Sequence, residues 1–215
     1  MDNIDTSTQY TEDLETAIKD WAKTKMRRKR FKHVVGVVET ADQLAAQYAP
    51  EFQVQCRIAG WLHDTAKNWD DDELLAYATD HDVDILPGEH ETPMLLHGIV
   101  GYLTGAAEFD LDDPVIREAC RLHTTGGPDM GTAAKIVFLA DAIEPGRSYS
   151  SVEAIRAEAQ NDLGAALLMT LDHTVKHLIK KKRIIDPRPI LLRNQLIRAG
   201  VTYSKKNANA DNDTL

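Results

Sequence analysis

The sequence predicts an all-α fold in a single domain, on three observations. Ala, Leu, Glu, Asp and Lys dominate its 215 residues, and the strand-favouring Val, Ile, Thr and Tyr do not gather into alternating runs. Apolar residues recur instead three and four positions apart, the spacing of a helix face. Pro and Gly mark the breaks between periodic segments, with no internal repeat and no Pro/Gly/Ser-rich linker that would divide the body. At 43% hydrophobic and 27% charged, the chain can bury a sizeable core.

Residues 1 to 10 are polar and are expected to be a flexible N-terminus. Helices are expected at 11–26, 28–48, 51–67, 71–81, 93–105, 114–124, 131–143, 150–181 and 187–199. The segment 28–48 is apolar at Phe31, Val34, Val35, Val38, Ala41 and Ala45, and Val37 and Leu44 widen that stripe towards the face of His33, which implies burial on more than one side. The segment 51–67 carries IAGWLHDTAK, 93–105 carries MLLHGIVG, and 131–143 carries the apolar run Ile136 to Ala140. From 152 to 179 a single stripe of Val152, Ile155, Ala159, Leu163, Leu167, Leu171, Val175 and Leu178 predicts one long peripheral helix. The tail 204–215, SKKNANADNDTL, has no periodicity and is expected to be disordered, which leaves 11–203 as the domain.

The formal charge of −9 argues against a nucleic-acid or anionic-membrane partner. No apolar stretch of about 18 residues could span a membrane, and Met1 to Tyr10 does not read as a signal peptide, so a cytoplasmic location is expected. Cys56 and Cys120 sit among apolar neighbours and read as reduced core thiols.

The chemistry lies in the histidines. Of eight, His33, His63, His97 and His123 fall within or beside apolar segments, where an unpaired imidazole is costly. His63-Asp64 is a weak motif alone, since a helix-end Asp in a surface ion pair and a His packed on Trp61 explain the dipeptide better by itself. Its weight grows because Asp141 follows an apolar run in which an isolated carboxylate must be protonated, paired or metal-bound. Imidazole and carboxylate without thiolate suit divalent metals of intermediate hardness, and six such groups suffice for two ions with positions left for water and substrate. His81, His90, His173 and His177 lie among polar residues and read as surface histidines.

In order, these stretches read RKRFKHVVGV, WLHDTAK, MLLHGIVG, CRLHTTGG and VFLADAIEPGR. Over roughly residues 27 to 198 the chain resembles the HD superfamily of metal-dependent phosphohydrolases. Within it, HDTAK, LLHG, HTTG and LADAIEPGR are similar to the bacterial symmetrical diadenosine tetraphosphate hydrolases. The resemblance implies a helical bundle with the metal site in its core. His33, His63, Asp64 and Asp141 would hold one metal, and Asp64 would bridge to a second held by His97 and His123. Iron is the implied metal, and manganese, cobalt or nickel suit the same ligands. The implied reaction splits a dinucleoside tetraphosphate centrally into two nucleoside diphosphates with water activated between the metals.

An anionic substrate calls for cations, and Lys67, Arg147 and Arg30 are the candidates. Asp64, Lys67 and Arg147 are expected to take part in catalysis, and Arg30, His33, His97, His123, Thr124, Thr125 and Asp141 to join them in holding substrate. Thr124 and Thr125 are equally suited to ending a helix. The run Lys180 to Arg183 suits a helix C-terminus. By resemblance, Lys181, Lys182, Arg183, Ile184, Ile185 and Asp186 form a base pocket. The rival readings are a nucleotidase, a cyclic-dinucleotide phosphodiesterase, a di-iron oxygenase and a non-catalytic nucleotide sensor. The absence of a GYP signature argues against the phosphodiesterase, Lys67 and Arg147 against the oxygenase, and the complete ligand set against the sensor. The expected partner is a small nucleotide, and homodimerisation is left open.

Overall fold

A computed structural model describes residues 10–203, which are helical with no strand among them. The expectations for residues 1–9 and 204–215 lie outside the described residues. Tyr10, expected in the flexible terminus, is partly buried, and its hydroxyl donates to Asp113 Oδ2 at 2.7 Å, so the ordered body includes it.

Helix α1 (Glu12–Lys25) is capped by Thr11, whose side chain accepts from Leu14 N, with Glu12, Asp13 and Glu15 in its first turn and Lys23 and Lys25 in its last, complementing the helix dipole. Glu15 binds Arg57 and Trp61 on α3 (Gln53–Leu62), which ties the two helices together. Helix α2 (Arg28–Tyr48) runs through the centre and packs on both α3 and α8 (Thr132–Ile143). Its wide stripe is buried at Val34, Val37, Val38, Ala41, Leu44 and Ala45, as that width predicted.

The helix expected at 51–67 is shorter. A 3-10 turn at Pro50–Phe52 leads into α3, which stops at Leu62. Beyond it the chain continues in tight i to i+3 turns, Thr65 N to Leu62 O and Lys67 N to Asp64 O, both 3.1 Å. His63, Asp64 and Lys67 therefore project from turns that no single helix face could have supplied.

Helix α4 (Asp71–Asp80) opens on a reciprocal capping box of Asp70 and Glu73. A short helix that the periodicity did not indicate, α5 (Pro87–Glu91), and a 3-10 turn at Pro93–Leu96 precede α6 (His97–Phe109). Asp113 caps α7 (Pro114–Leu122) by accepting from Val115 N and Ile116 N. Helix α8 is buried nearly all round, from Ala133 to Ile143.

The single long helix expected at 150–181 is two helices, α9 (Val152–Ala159) and α10 (Leu163–Lys180). Asp162 restarts the chain by accepting from Ala165 N, while Tyr48 and Gln47 of α2 donate to the freed carbonyls of Ala159 and Gln160. Nor is α10 peripheral. Its residues Ala165 to Leu171 are buried, and it packs on α8, α9 and α11 (Pro187–Arg198). Cys56 and Cys120 are free and buried among these helices, and burial pushes the Cys56 thiol up to about 12.

Candidate metal centre

The six predicted ligands come from five separate places in the chain. His33 sits in the second turn of α2, His63 and Asp64 follow α3, His97 opens α6, His123 follows α7, and Asp141 lies near the end of α8. Three of the imidazoles are aimed by one device. His63 Nδ1 donates to Gly60 O at 2.7 Å, His97 Nδ1 to Met94 O at 2.5 Å and His123 Nδ1 to Cys120 O at 2.7 Å, each a carbonyl three residues earlier. At the ends of α3 and α7 those carbonyls lack a helical partner, and the imidazole N–H supplies one. A carbonyl only accepts, so each Nδ1 carries the proton and each Nε2 points inward with a lone pair. The fourth, His33, is held differently. Its Nδ1 lies 3.1 Å from Oε1 of the buried Glu144, a carboxylate that the sequence reading did not single out.

These inward atoms converge on Asp64. Its Oδ2 lies 3.6 Å from His33 Nε2 and 3.5 Å from His63 Nε2, and its Oδ1 lies 3.2 Å from His97 Nε2. One carboxylate thus offers one oxygen to each of two groups that could hold a metal, His33–His63–Asp64 and Asp64–His97–His123. Asp141 Oδ1 joins the first group at 3.0 Å from His33 Nε2.

The donor set fits divalent metals. His33 Nε2 and His63 Nε2 are buried with no hydrogen-bond partner. His97 Nε2 and His123 Nε2 face each other at 2.9 Å although both protons are committed to carbonyls on the far side of the rings. Lone pairs brought together in this way are satisfied by cations, and buried polar atoms without partners cost about 1–3 kcal/mol each.

The electrostatics agree for most of these groups, while at His63 burial is outweighed by the Asp64 carboxylate, which raises the imidazole above its usual value. Burial opposes ionisation of Asp64, yet the imidazoles of His63 and His97 hold its carboxyl well below the usual carboxylate range. Burial works against Asp141 too, and His33 and Arg147 hold it low. Burial pulls His97 and His123 below the usual imidazole value, which keeps them neutral and able to ligate. Burial also lowers Lys67.

Asp64 is only 3% exposed and Asp141 is 21% exposed, so the centre opens on the side of Asp141. The expected cations stand around it. Arg30 Nη1 is 2.8 Å from Asp64 Oδ2, Arg147 Nη2 is 2.5 Å from Asp141 Oδ1, and Lys67 Nζ is 3.2 Å from His97 Nε2. From the open side extends a cavity of about 330 Å³, lined by His123, Asp141 and Arg147 on the metal side and by His173 and His177 of α10 on the other. Thr124 lines it, with Oγ1 2.9 Å from His123 Nε2. Thr125 does not, because its hydroxyl is buried and donates to Gly126 O.

One expectation needs correction. His173 is not a plain surface histidine but partly buried in the cavity wall, while His81, His90 and His177 are exposed. Residues Lys181 to Asp186 do not line this cavity. Lys181 to Ile184 are exposed, and Asp186 is buried at the start of α11, where both its oxygens take hydrogen bonds from Arg188. Glu144 and His173 were missed for different reasons. Glu144 stands three residues after Asp141, one helical turn, a spacing that could have flagged it, and His173 is paired with His177 four residues on.

Comparison with known proteins follows the same lines. The HD domain family matches residues 30–146. The chain is 37% identical over 170 residues to a protein of Halalkalibacterium halodurans named symmetrical bis(5'-nucleosyl)-tetraphosphatase, covering 78% of this chain and 89% of that one. It is 31% identical over 175 residues to a Bacillus subtilis protein of the same name, covering 81% and 93%. A solved structure from Clostridium acetobutylicum, described as a "predicted HD superfamily hydrolase involved in NAD metabolism", superposes with a TM-score of 0.81 at 35% identity and covers 88% of this chain and 98% of that one.

Proposed function

The chain belongs to the HD domain family, and on that premise we propose that it is a metal-dependent hydrolase that splits diadenosine tetraphosphate symmetrically into two molecules of ADP. The observation that carries this reading is Asp64, whose two oxygens face two histidine sets within a cage bordered by three cations.

His33, His63, Asp64 and Asp141 would hold one divalent ion, and Asp64, His97 and His123 a second. Iron is the expected metal, with manganese, cobalt or nickel suited to the same donors. When bound, such a pair supplies Lewis acidity that lowers the pKa of water and neutralises phosphoryl oxygens. The chain's own residues do the rest. Arg147, with its guanidinium already beside Asp141 at the cavity floor, takes phosphate oxygens with a planar fork. Lys67 reaches the same oxygens from the His97 side, and burial strengthens the pull of its ammonium. Arg30 caps Asp64 from the rim. Thr124 offers a hydroxyl to phosphate or ribose. The Nδ1 locks hold all four imidazoles in register while substrate enters, so ligand geometry does not depend on the nucleotide. A free dinucleotide as substrate leads us to place the enzyme in the cytoplasm. Among the described residues, no helix is long and apolar enough to cross a membrane.

The test supplies purified protein with ferrous iron under anaerobic conditions and diadenosine tetraphosphate, and resolves the products by ion exchange. ADP alone, at two per substrate consumed, is expected. AMP together with ATP would refute symmetrical cleavage, and no turnover with metal demonstrably bound would refute the hydrolase reading.

A further inference from the structure

Helix α8 ends on the turn that carries Arg147, and the side chain that holds this turn comes from α9. The last carbonyls of a helix have run out of helical donors, and at the end of α8 Arg156 supplies them. Its Nε donates to Ile143 O at 2.8 Å, and its Nη2 to Glu144 O at 2.6 Å and to Arg147 O at 3.1 Å. Its Nη1 pairs with Glu153 Oε1, three residues earlier on α9. One guanidinium therefore bonds both ends of the turn Glu144-Pro145-Gly146-Arg147, whose own closing bond runs from Arg147 N to Glu144 O at 2.9 Å.

A cation at a helix C-terminus is a common stabilising device and accounts for the bonds to Ile143 and Glu144. It does not account for the bond to Arg147 O, which lies past the turn. That bond fixes the residue whose side chain meets the metal centre, where Arg147 Nε donates to Asp141 O at 2.7 Å and Nη2 to Asp141 Oδ1 at 2.5 Å. The turn has little hold of its own, since Gly146 has no side chain and Pro145 has no N–H. The Glu144 carboxylate accepts from Gly146 N on Oε2 at 2.5 Å while its Oε1 faces His33 Nδ1, so the carboxylate ties the turn to α2 and Arg156 ties it to α9. A turn free to shift would carry the guanidinium of Arg147 off the phosphate, and small misplacements of a binding group are costly. The residues matched by the HD domain family end at 146, so Arg147 and Arg156 both lie beyond that match.

We propose that Arg156 is a positioning residue for the substrate's phosphates: by bonding the carbonyls of Ile143, Glu144 and Arg147, it holds the turn from which Arg147 presents its guanidinium. This rests on the phosphohydrolase reading of the site. Arg156 does not line the cavity and acts only through Arg147. None of the three carbonyls belongs to a predicted metal ligand, so the clamp serves phosphate and leaves metal capture to the cage.

The test compares wild type, Arg147→Ala, Arg156→Lys and the double variant that carries both changes, all loaded with Mn²⁺. It measures metal content, calorimetric binding of inorganic pyrophosphate and steady-state kinetics with diadenosine tetraphosphate. Lysine keeps the positive charge at the end of α8, but a single ammonium does not reproduce a planar fork across three carbonyls. In Arg156→Lys the pyrophosphate Kd is expected to rise and kcat/KM to fall, each about tenfold, with metal content unchanged. On the Arg147→Ala background the same change should move either quantity by less than about twofold, because the group being positioned is gone. Equal effects on the two backgrounds overturn the proposal, since a general loosening of the bundle does not need Arg147. Unchanged pyrophosphate affinity in Arg156→Lys overturns it as well, and so does a wild-type affinity that does not depend on Arg147. Should Arg156→Lys not fold, Arg156→Gln, which keeps an amide donor without the charge, carries the same comparison. Failure of the diadenosine tetraphosphate reading is seen separately in the wild type, as an uncleaved dinucleotide, and the pyrophosphate measurements still decide the role of Arg156.

Discussion

Two groups of histidines are held under opposite constraints. His63, His97 and His123 are at most 3% exposed, and each is clamped by a backbone carbonyl three residues upstream. His173 is steadied by a tyrosine ring and a serine hydroxyl, and His177 is open to solvent. In the cage the main chain dictates where each nitrogen points, whereas in the wall side chains pack against one another. Damage to the cage should therefore appear as lost metal and lost chemistry, and damage to the wall should leave the bound metal in place.

The sharpest way to break this contrast is Asp64→Ala. Changing an outer partner of a metal ligand costs about 10–100-fold, so removing the carboxylate shared by both histidine sets should cost more than about 100-fold in turnover and most of the bound metal. Mass spectrometry of metal content alongside kcat tests it, and full activity would end the shared-ligand account.

Next in size is Gly98→Ala. A Cβ there would stand 2.1 Å from Cys120 O and 2.7 Å from His123 Nδ1, so the close approach of α6 to the end of α7 needs glycine. Separating these helices should cost about 1–3 kcal/mol, or about 2–4 °C in Tm per kcal/mol for a chain of this size, and should loosen the lock on His123. An unchanged melting curve would show that the cage tolerates movement.

Glu144→Gln sharpens the comparison within the cage, because His33 alone is oriented by a side chain. The amide keeps an acceptor but loses the charge, and metal affinity measured by calorimetry should weaken about tenfold with the fold intact. Equal affinity would mean that the charge of Glu144 is irrelevant to His33.

The smallest effect is expected away from both groups, at Asp186. Burial raises its pKa, but hydrogen bonds from Arg188 more than offset this and leave its carboxyl below the usual value. A folded pKa below the unfolded one means stability that is present above the unfolded value of about 3.9 and is lost as pH falls through the folded one. Denaturant titrations from neutral pH downwards should therefore show a shallower loss of stability on acidification in Asp186→Asn than in wild type.

Most of the fold could be read from apolar spacing, and where that failed the cause was a contact in space. The stripe from Val152 to Leu178 keeps helical period straight through the break, because the bonds that stabilise the break come from Tyr48 and Gln47 on α2. The end of α3 at Leu62 was hidden in the same way, since a periodicity argument has no knowledge of turns that carry His63 and Asp64 towards α2 and α6. All six predicted ligands converge, because each stood out as a polar residue in an apolar setting. Glu144 and His173 did not stand out, as Glu144 enters a Pro-Gly turn and His173 lies between Asp172 and Thr174, and their importance comes from what touches them. Asp186 carries bonds from Arg188 on both its oxygens, a pairing that spacing alone did not reveal.

The three carbonyl clamps have a thermodynamic consequence. A histidine free to turn about its side-chain bonds loses that freedom when it takes a metal, and three such losses would weaken binding. Here the rotamers are already chosen when α3, α6 and α7 form, so the entropy of arranging the ligands belongs to folding and not to metal capture. Metal uptake then acts on a finished scaffold, unlike small metal-nucleated domains whose fold forms only with the ion.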